Sequence, residues 1–153
     1  MSNQTISDFE CPATGGYQFR LSDFQHKTLV LYFYPKDSTP GCTTEGVQFR
    51  DLHEQFLAAG AVIFGISRDS LKSHENFKAK SGFPFDLLSD PDETICNLFG
   101  VMKLKNMYGK QVRGIERSTF VLVNNTVARE WRGVKVDGHA REVLDFINSL
   151  QES

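Results

Sequence analysis

The chain has 153 residues, 40% of them hydrophobic, with thirteen phenylalanines and a formal net charge of -2. That length suits one domain, residues 1–153, with a core that needs no staples, and the near-neutral charge argues against a protein built mainly for nucleic acid. The first ten residues show neither a basic start nor an apolar run, and the three cysteines have no paired spacing, so a cytoplasmic protein without signal peptide or membrane span is expected.

In chain order, Pro12 and the Gly15-Gly16 pair precede Tyr17, Phe19 and Leu21 in alternation, which predicts a hairpin or short edge strand within 11–27. Cys11 lies there, read either as a partly buried thiol of no consequence or as one able to pair with another cysteine. The apolar run 29–34 predicts a strand covered on both faces. Pro35 ends it, and Pro40-Gly41 marks a rigid approach to the next element. Phe49, Leu52, Phe56 and Ala59 then recur as one face of a helix, with Gly60 as its cap. Cys42 falls at the N-terminus of that helix, with Thr43 and Glu45 in the first turn.

Residues 61–67 are a second apolar run, so 28–67 reads as a βαβ unit with parallel strands. A surface helix follows at 70–81, closed by Gly82, then a loop and short strand at 83–88. Residues 89–92 open another helix with Pro91 suited to its first turn, and Ile95, Leu98 and Phe99 make it partly buried. The stretch 102–116, with Lys103, Lys105, Lys110 and Arg113 against Glu116 and a turn at Tyr108-Gly109, reads as a solvated loop. A strand at 118–123, a tight turn at Asn124-Asn125 and an antiparallel return at 127–131 come next. The closing helix, 138–150, carries Val143, Phe146, Ile147 and Leu150 at helical spacing.

The chemistry centres on Cys42. A free cysteine, with pKa about 8.5, is only roughly 3% ionised at pH 7. Bringing such a thiol to about 6.5 takes roughly 2.7 kcal/mol of preference for the anion. A helix N-terminus supplies about 0.3 to 1 kcal/mol, or up to about 2 when partly buried. A second cation is therefore expected. Complete ionisation raises the thiolate population only about thirtyfold, so fast chemistry also needs donors aimed at the charge that develops in the transition state. Thr39 is the obvious local hydroxyl.

The pattern Pro35-x-x-x-Thr39-x-x-Cys42, after an apolar strand and opening a helix, resembles the active-site signature of the peroxiredoxins. DFECPATGG, YFYPKDSTPGCTTE, LLSDPDETI and IERSTFVL are together similar to the bacterioferritin comigratory protein or peroxiredoxin Q group of that family. The resemblance implies an α/β, thioredoxin-like fold: a central mixed β-sheet flanked by helices, with an N-terminal hairpin extension. It implies reduction of hydrogen peroxide and organic hydroperoxides to water or alcohols, through a sulfenic acid at Cys42 and without a cofactor. Thr39 would be the hydroxyl partner of thiolate and peroxide, Pro35 a shield of the sulfur, and Arg117 the missing cation. By its own position, at the start of an apolar strand, Arg117 reads as an ordinary surface charge. Glu45 either orients that arginine or caps the helix.

Many members of the resembled group carry a resolving thiol five residues after the peroxidatic one, where this chain has Val47. The usual intra-helix disulfide cannot form, which predicts a one-cysteine cycle: an external thiol attacks the sulfenic acid. Cys96 reads as a small core hydrophobe, with a resolving role as the sharper alternative. The resemblance points to a monomer reduced by thioredoxin or glutaredoxin, with low-molecular-weight thiols a further donor for a one-cysteine enzyme. A thioredoxin-type dithiol is absent, because Glu45 stands where its second cysteine would be. None of His26, His53, His74 or His139 has metal-ligand spacing with a cysteine, so no metal is expected. Trp131 reads as strand packing. The other class of function is a non-catalytic redox sensor or chaperone that uses the same oxidisable Cys42.

Overall fold

The apolar run after Lys27 forms strand β3 (Thr28–Phe33). In this computed structural model, which describes residues 4–151, Leu29, Leu31 and Phe33 enter one apolar cluster and Val30 and Tyr32 another. That split is the two-residue period of an extended strand, and coverage on both sides explains the unbroken apolar run.

The strand pairs in parallel with β4 (Ala61–Ser67), which pairs in parallel with β5 (Asp86–Ser89). Its other neighbour is the antiparallel β8 (Ser118–Val123). A hairpin of β1 (Glu10–Ala13) and β2 (Tyr17–Arg20) extends one edge, and β9 (Thr126–Arg132) forms the other. The seven-stranded mixed sheet thus runs β2-β1-β5-β4-β3-β8-β9. Asn124 and Asn125, with φ of 53° and 63°, make the tight turn expected between β8 and β9.

Helices α1 (Pro40–Asp51), α2 (His53–Ala58), α3 (Leu71–Ser81) and α5 (His139–Gln151) cover the Val30 and Tyr32 face through Phe49, Phe56, Phe77 and Ile147. The short α4 (Thr94–Leu98) covers the opposite face through Ile95 and Cys96. No helix among the described residues is long and apolar enough to cross a membrane.

Three expectations are corrected. The helix after Cys42 is two helices, because the Leu52 N–H bonds back to Phe49 O at 3.2 Å, a three-residue step that tightens and ends α1. The next helix starts at Thr94, not around Pro91, which lies in the turn before it. Its first amides are held from outside, since the Asp90 carboxylate accepts from the N–H groups of Ile95 (3.1 Å) and Cys96 (2.7 Å). The stretch 102–116 is a ribbon of β6 (Met102–Met107) and β7 (Lys110–Ile115), turning at Tyr108-Gly109. Most of its side chains are exposed, so no burial pattern marks it in the sequence.

Candidate active site

Tyr34 and Pro35 carry β3 into a short loop, and Thr39 is the N-cap of α1 with Pro40 in its first turn. The Thr39 hydroxyl donates to Lys36 O at 2.8 Å and so does not cap the helix. Thr43 N–H is the first to find a carbonyl, that of Thr39 at 2.9 Å, and the amides of Gly41 and Cys42 find none among the described residues. Two donors therefore remain at the helix mouth beside the sulfur.

Arg117 immediately precedes β8, the neighbour of β3, so sheet topology brings it beside a residue 75 positions away. Its Nη2 donates to Cys42 Sγ at 3.4 Å and its Nη1 to Glu45 Oε1 at 2.6 Å. Gly41 eases the approach: a Cβ there would stand 3.2 Å from Arg117 Nη2, and the guanidinium would have to give by a few tenths of an ångström. Burial alone would lower the Arg117 pKa, but the Glu45 charge and then the Cys42 sulfur hold it above its ordinary range. Glu45 is 1% exposed, and its Oε2 has no hydrogen-bond partner among the described residues. Burial pushes its carboxyl up to about 7, and the ion pair with Arg117 only partly opposes this. The Cys42 side chain is itself buried, 2% exposed. It sits on the inner face of α1, against the same cluster as Tyr32 and Phe49.

A cysteine at a helix mouth with an arginine on its sulfur is the setting for thiol chemistry, and comparison with known proteins identifies its lineage. Residues 2–130 match the AhpC/TSA family. Over 138 residues the chain is 58% identical to peroxiredoxin Bcp of Xanthomonas campestris, covering 90% of this chain and 86% of that protein. Identity to peroxiredoxin Bcp of Bacillus subtilis is 46% over 150 residues, covering 97% and 96%. The solved structure of Xanthomonas campestris peroxiredoxin Q superposes with a TM-score of 0.88 at 56% identity, covering 92% and 90% of the two chains. The chain belongs to the peroxiredoxins, in their Bcp or Q group.

The peroxiredoxin therefore has a thioredoxin-like fold and is a thiol-dependent peroxidase, taking a hydroperoxide as substrate and a thiol as reductant. Its other two cysteines do not share the apolar cluster of Cys42. Cys11, in β1, and Cys96, in α4, belong to the cluster on the opposite face of the sheet. Burial first, and the Asp90 charge second, push the Cys11 thiol up to about 12. Burial and a hydrogen bond with Asp90 raise Cys96 further. Both are reluctant thiols.

One group on the Cys42 side of this peroxiredoxin escaped the sequence reading. Asp37, in the loop before Thr39, accepts from Tyr34 Oη at 2.6 Å and from Ser73 Oγ at 2.8 Å, and lies 2.7 Å from His74 Nδ1. His74 Nε2 is 2.7 Å from the Leu88 carbonyl, which can only accept, so that nitrogen carries a proton. The buried pair of His74 and Asp37 fastens the loop onto α3. The Asp37 amide adds a bond to Asp69 Oδ2 at 2.9 Å. The nearest sequence signal was an acid between Pro35 and Thr39. His139 is buried and bonds Thr119 Oγ1 at 2.8 Å, and burial lowers its pKa to about 4. Trp131 packs as expected, its Nε1 donating to Glu142 Oε2 at 2.7 Å.

Proposed function

We propose that Cys42 is the peroxidatic nucleophile of a one-cysteine cycle, acting in the cytoplasm as a monomer. The observation that carries the reading is the Arg117 guanidinium, shared between Cys42 Sγ and the Glu45 carboxylate. It stays charged and presents several donors, so it can hold both a thiolate and a peroxide oxygen. The sulfur attacks the terminal peroxide oxygen, the O–O bond breaks, and the departing alkoxide or hydroxide takes up a proton to leave as alcohol or water. The free amides of Gly41 and Cys42 receive the leaving oxygen. Thr39 has spent its own proton on Lys36 O, so its oxygen accepts from the hydroperoxide O–H. Pro35, half-buried after β3, limits water at the mouth of the loop, and Glu45 holds Arg117 in place.

The one-cysteine cycle is supported by the two faces of the sheet. A disulfide needs Cα atoms roughly 4.4–6.8 Å apart, whereas Cys11 and Cys96 are separated from Cys42 by β3, β4 and their neighbours. The resolving thiol must come from thioredoxin, glutaredoxin or a small thiol. Non-reducing mass spectrometry after one equivalent of peroxide tests this: the expected product is a sulfenic acid on Cys42. A Cys42–Cys96 or Cys42–Cys11 bridge in most molecules refutes the cycle. Many turnovers with peroxide and a reducing system, lost in Cys42→Ser, separate this enzyme from a stoichiometric redox sensor or chaperone.

A further inference from the structure

A one-cysteine cycle leaves the second thiol to arrive from outside, and the surface beside Cys42 offers it a place. A cavity of about 360 Å³ opens between α1 and α3. Thr43, Val47 and Arg50 line it as one stripe of α1, beginning at the residue next to Cys42. The facing wall is α3, with Phe77 and Lys80, and Ser38 closes the Cys42 end from the loop.

The lining is graded along its length. Hydroxyls of Ser38 and Thr43 stand at the end near the sulfur, Val47 and Phe77 form an apolar middle, and Arg50 and Lys80 occupy the far end. Arg50 is held by the Ser81 carbonyl at 2.9 Å and by Asp51 at 3.0 Å, which offsets its charge. Lys80 is exposed and forms no ion pair among the described residues, so the net positive charge of the groove is its own. From Thr43 to Arg50 the helix rises about 10 Å, at about 1.5 Å per residue. Three extended peptide residues span at most about 10–11 Å. A single amino-acid thiol is too short to reach from one end to the other.

We propose that this groove binds the reducing substrate, a peptide thiol of three residues with a free carboxylate: its sulfur lies at the Ser38 and Thr43 end and its carboxylate at Lys80. The assignment rests on the one-cysteine cycle proposed above. Because Cys42 lies on the neighbouring face of α1, its sulfenic group must turn outward past Thr43. The first turn of that helix has no side-chain cap, and its Gly41 and Cys42 amides find no carbonyl among the described residues. The incoming thiol sulfur attacks the Cys42 sulfur, the S–S bond forms and the S–O bond breaks. The oxygen takes the thiol proton and leaves as water. A second molecule of the thiol attacks the peptide sulfur of the mixed disulfide, releasing peptide disulfide and restoring the Cys42 thiol with the second proton.

The test separates the two steps. Wild-type protein is first oxidised with one equivalent of hydroperoxide and trapped with dimedone, which establishes the Cys42 sulfenic acid independently of the groove. The rate of sulfenic acid loss is then measured with glutathione, glutathione diethyl ester and cysteamine, at equal thiolate concentrations. Glutathione should saturate and exceed the ester, which keeps its ammonium but has no carboxylate, by about tenfold, as expected for a complementary charge pair in a partly enclosed site. Lys80→Glu, on an exposed side chain that does not threaten the fold, should erase most of that advantage without slowing the ester. Equal rates for the three thiols, or equal losses for glutathione and its ester in Lys80→Glu, overturn the site. A protein dithiol that outpaces glutathione with no response to Lys80→Glu does so too. A Cys42–Cys96 bridge in place of the sulfenic acid overturns the cycle itself, and the site with it.

Discussion

The sheet divides the sulfur of this peroxiredoxin into two chemistries. On the α1 face Cys42 meets a guanidinium at 3.4 Å, and on the α4 face Cys96 meets the Asp90 carboxylate. Exposure does not distinguish them: Cys42, Cys11 and Cys96 are 2%, 4% and 0% exposed. The sign of the nearest charge does. A buried thiol beside a cation can ionise and react, and one beside an anion is held neutral. The faces differ in polar content for the same reason. The Cys42 face carries the Arg117 to Glu45 pair and the Asp37 to His74 pair, whereas the other is mainly packed rings and aliphatics around Asp90.

The largest effect is expected from the buried pair that fastens the active-site loop. Asp37→Ala leaves the Tyr34 hydroxyl, the Ser73 hydroxyl and His74 Nδ1 without their shared acceptor. Breaking a buried pair from one side costs about 3–5 kcal/mol. Urea unfolding should show a loss of that size, and a change under about 1 kcal/mol would mean that the pair does not fasten the loop.

Next comes the cation itself. Arg117→Ala removes the charged donor from Cys42 and leaves Glu45 buried without its partner. The second-order rate with hydrogen peroxide should fall by about 10²–10³, the range for loss of one preorganised electrostatic donor. Stopped-flow kinetics within about threefold of wild type would show that the two faces do not differ in the way argued.

The pH dependence of stability sharpens the contrast, because two groups on the Cys42 face act with opposite sign. Burial raises Glu45 from its ordinary 4.5 to about 7, so in that window the folded protein keeps a proton that the unfolded chain has lost. Stability from this group falls as pH rises through the window. Burial lowers His139 from 6.5 to about 4, so the unfolded chain binds the extra proton and stability falls as pH falls. In the wild type the two slopes largely offset between about pH 4.5 and 6.5. Glu45→Gln keeps an acceptor for Arg117 but cannot ionise, and so exposes the His139 slope. The variant should lose up to roughly 3 kcal/mol on acidification across that range, at about 1.36 kcal/mol per pH unit. A profile parallel to that of the wild type would refute the opposition.

Much of this was legible in the sequence wherever local chemistry decides the outcome. The strands β3, β4 and β8 are buried runs, and α3 announces both ends: Ser70 Oγ accepts from Ser73 N–H at 3.2 Å, and Gly82 takes φ 67°. The ribbon of β6 and β7 was not, because strands exposed on both sides carry no burial pattern. Nor was the start of α4 at Thr94, whose cap is an aspartate several residues upstream. Within the site, Cys42 follows from a strand turning into a helix. Arg117 came only from resemblance, since the parallel and antiparallel pairings of β3 bring it 75 positions through the chain. Asp37 and His74, 37 positions apart, meet through the packing of α3, and no local pattern marks them.

The smallest effect concerns the face argued to be inert. Cys96 is sealed among Ile95, Phe99 and their neighbours, and Cys96→Ala removes one sulfur from that packing at a cost of about 1 kcal/mol. Peroxide turnover should stay within about twofold of wild type, since Cys96 packs in the cluster on the opposite side of the sheet from Cys42. Cys11→Ala should behave alike. Iodoacetamide applied to the native protein should label Cys42 well before either, because burial and Asp90 hold both of the other thiols neutral. Peptide mapping that found Cys96 or Cys11 modified first would place the reactive sulfur on the wrong side of the sheet and dissolve the contrast between the faces.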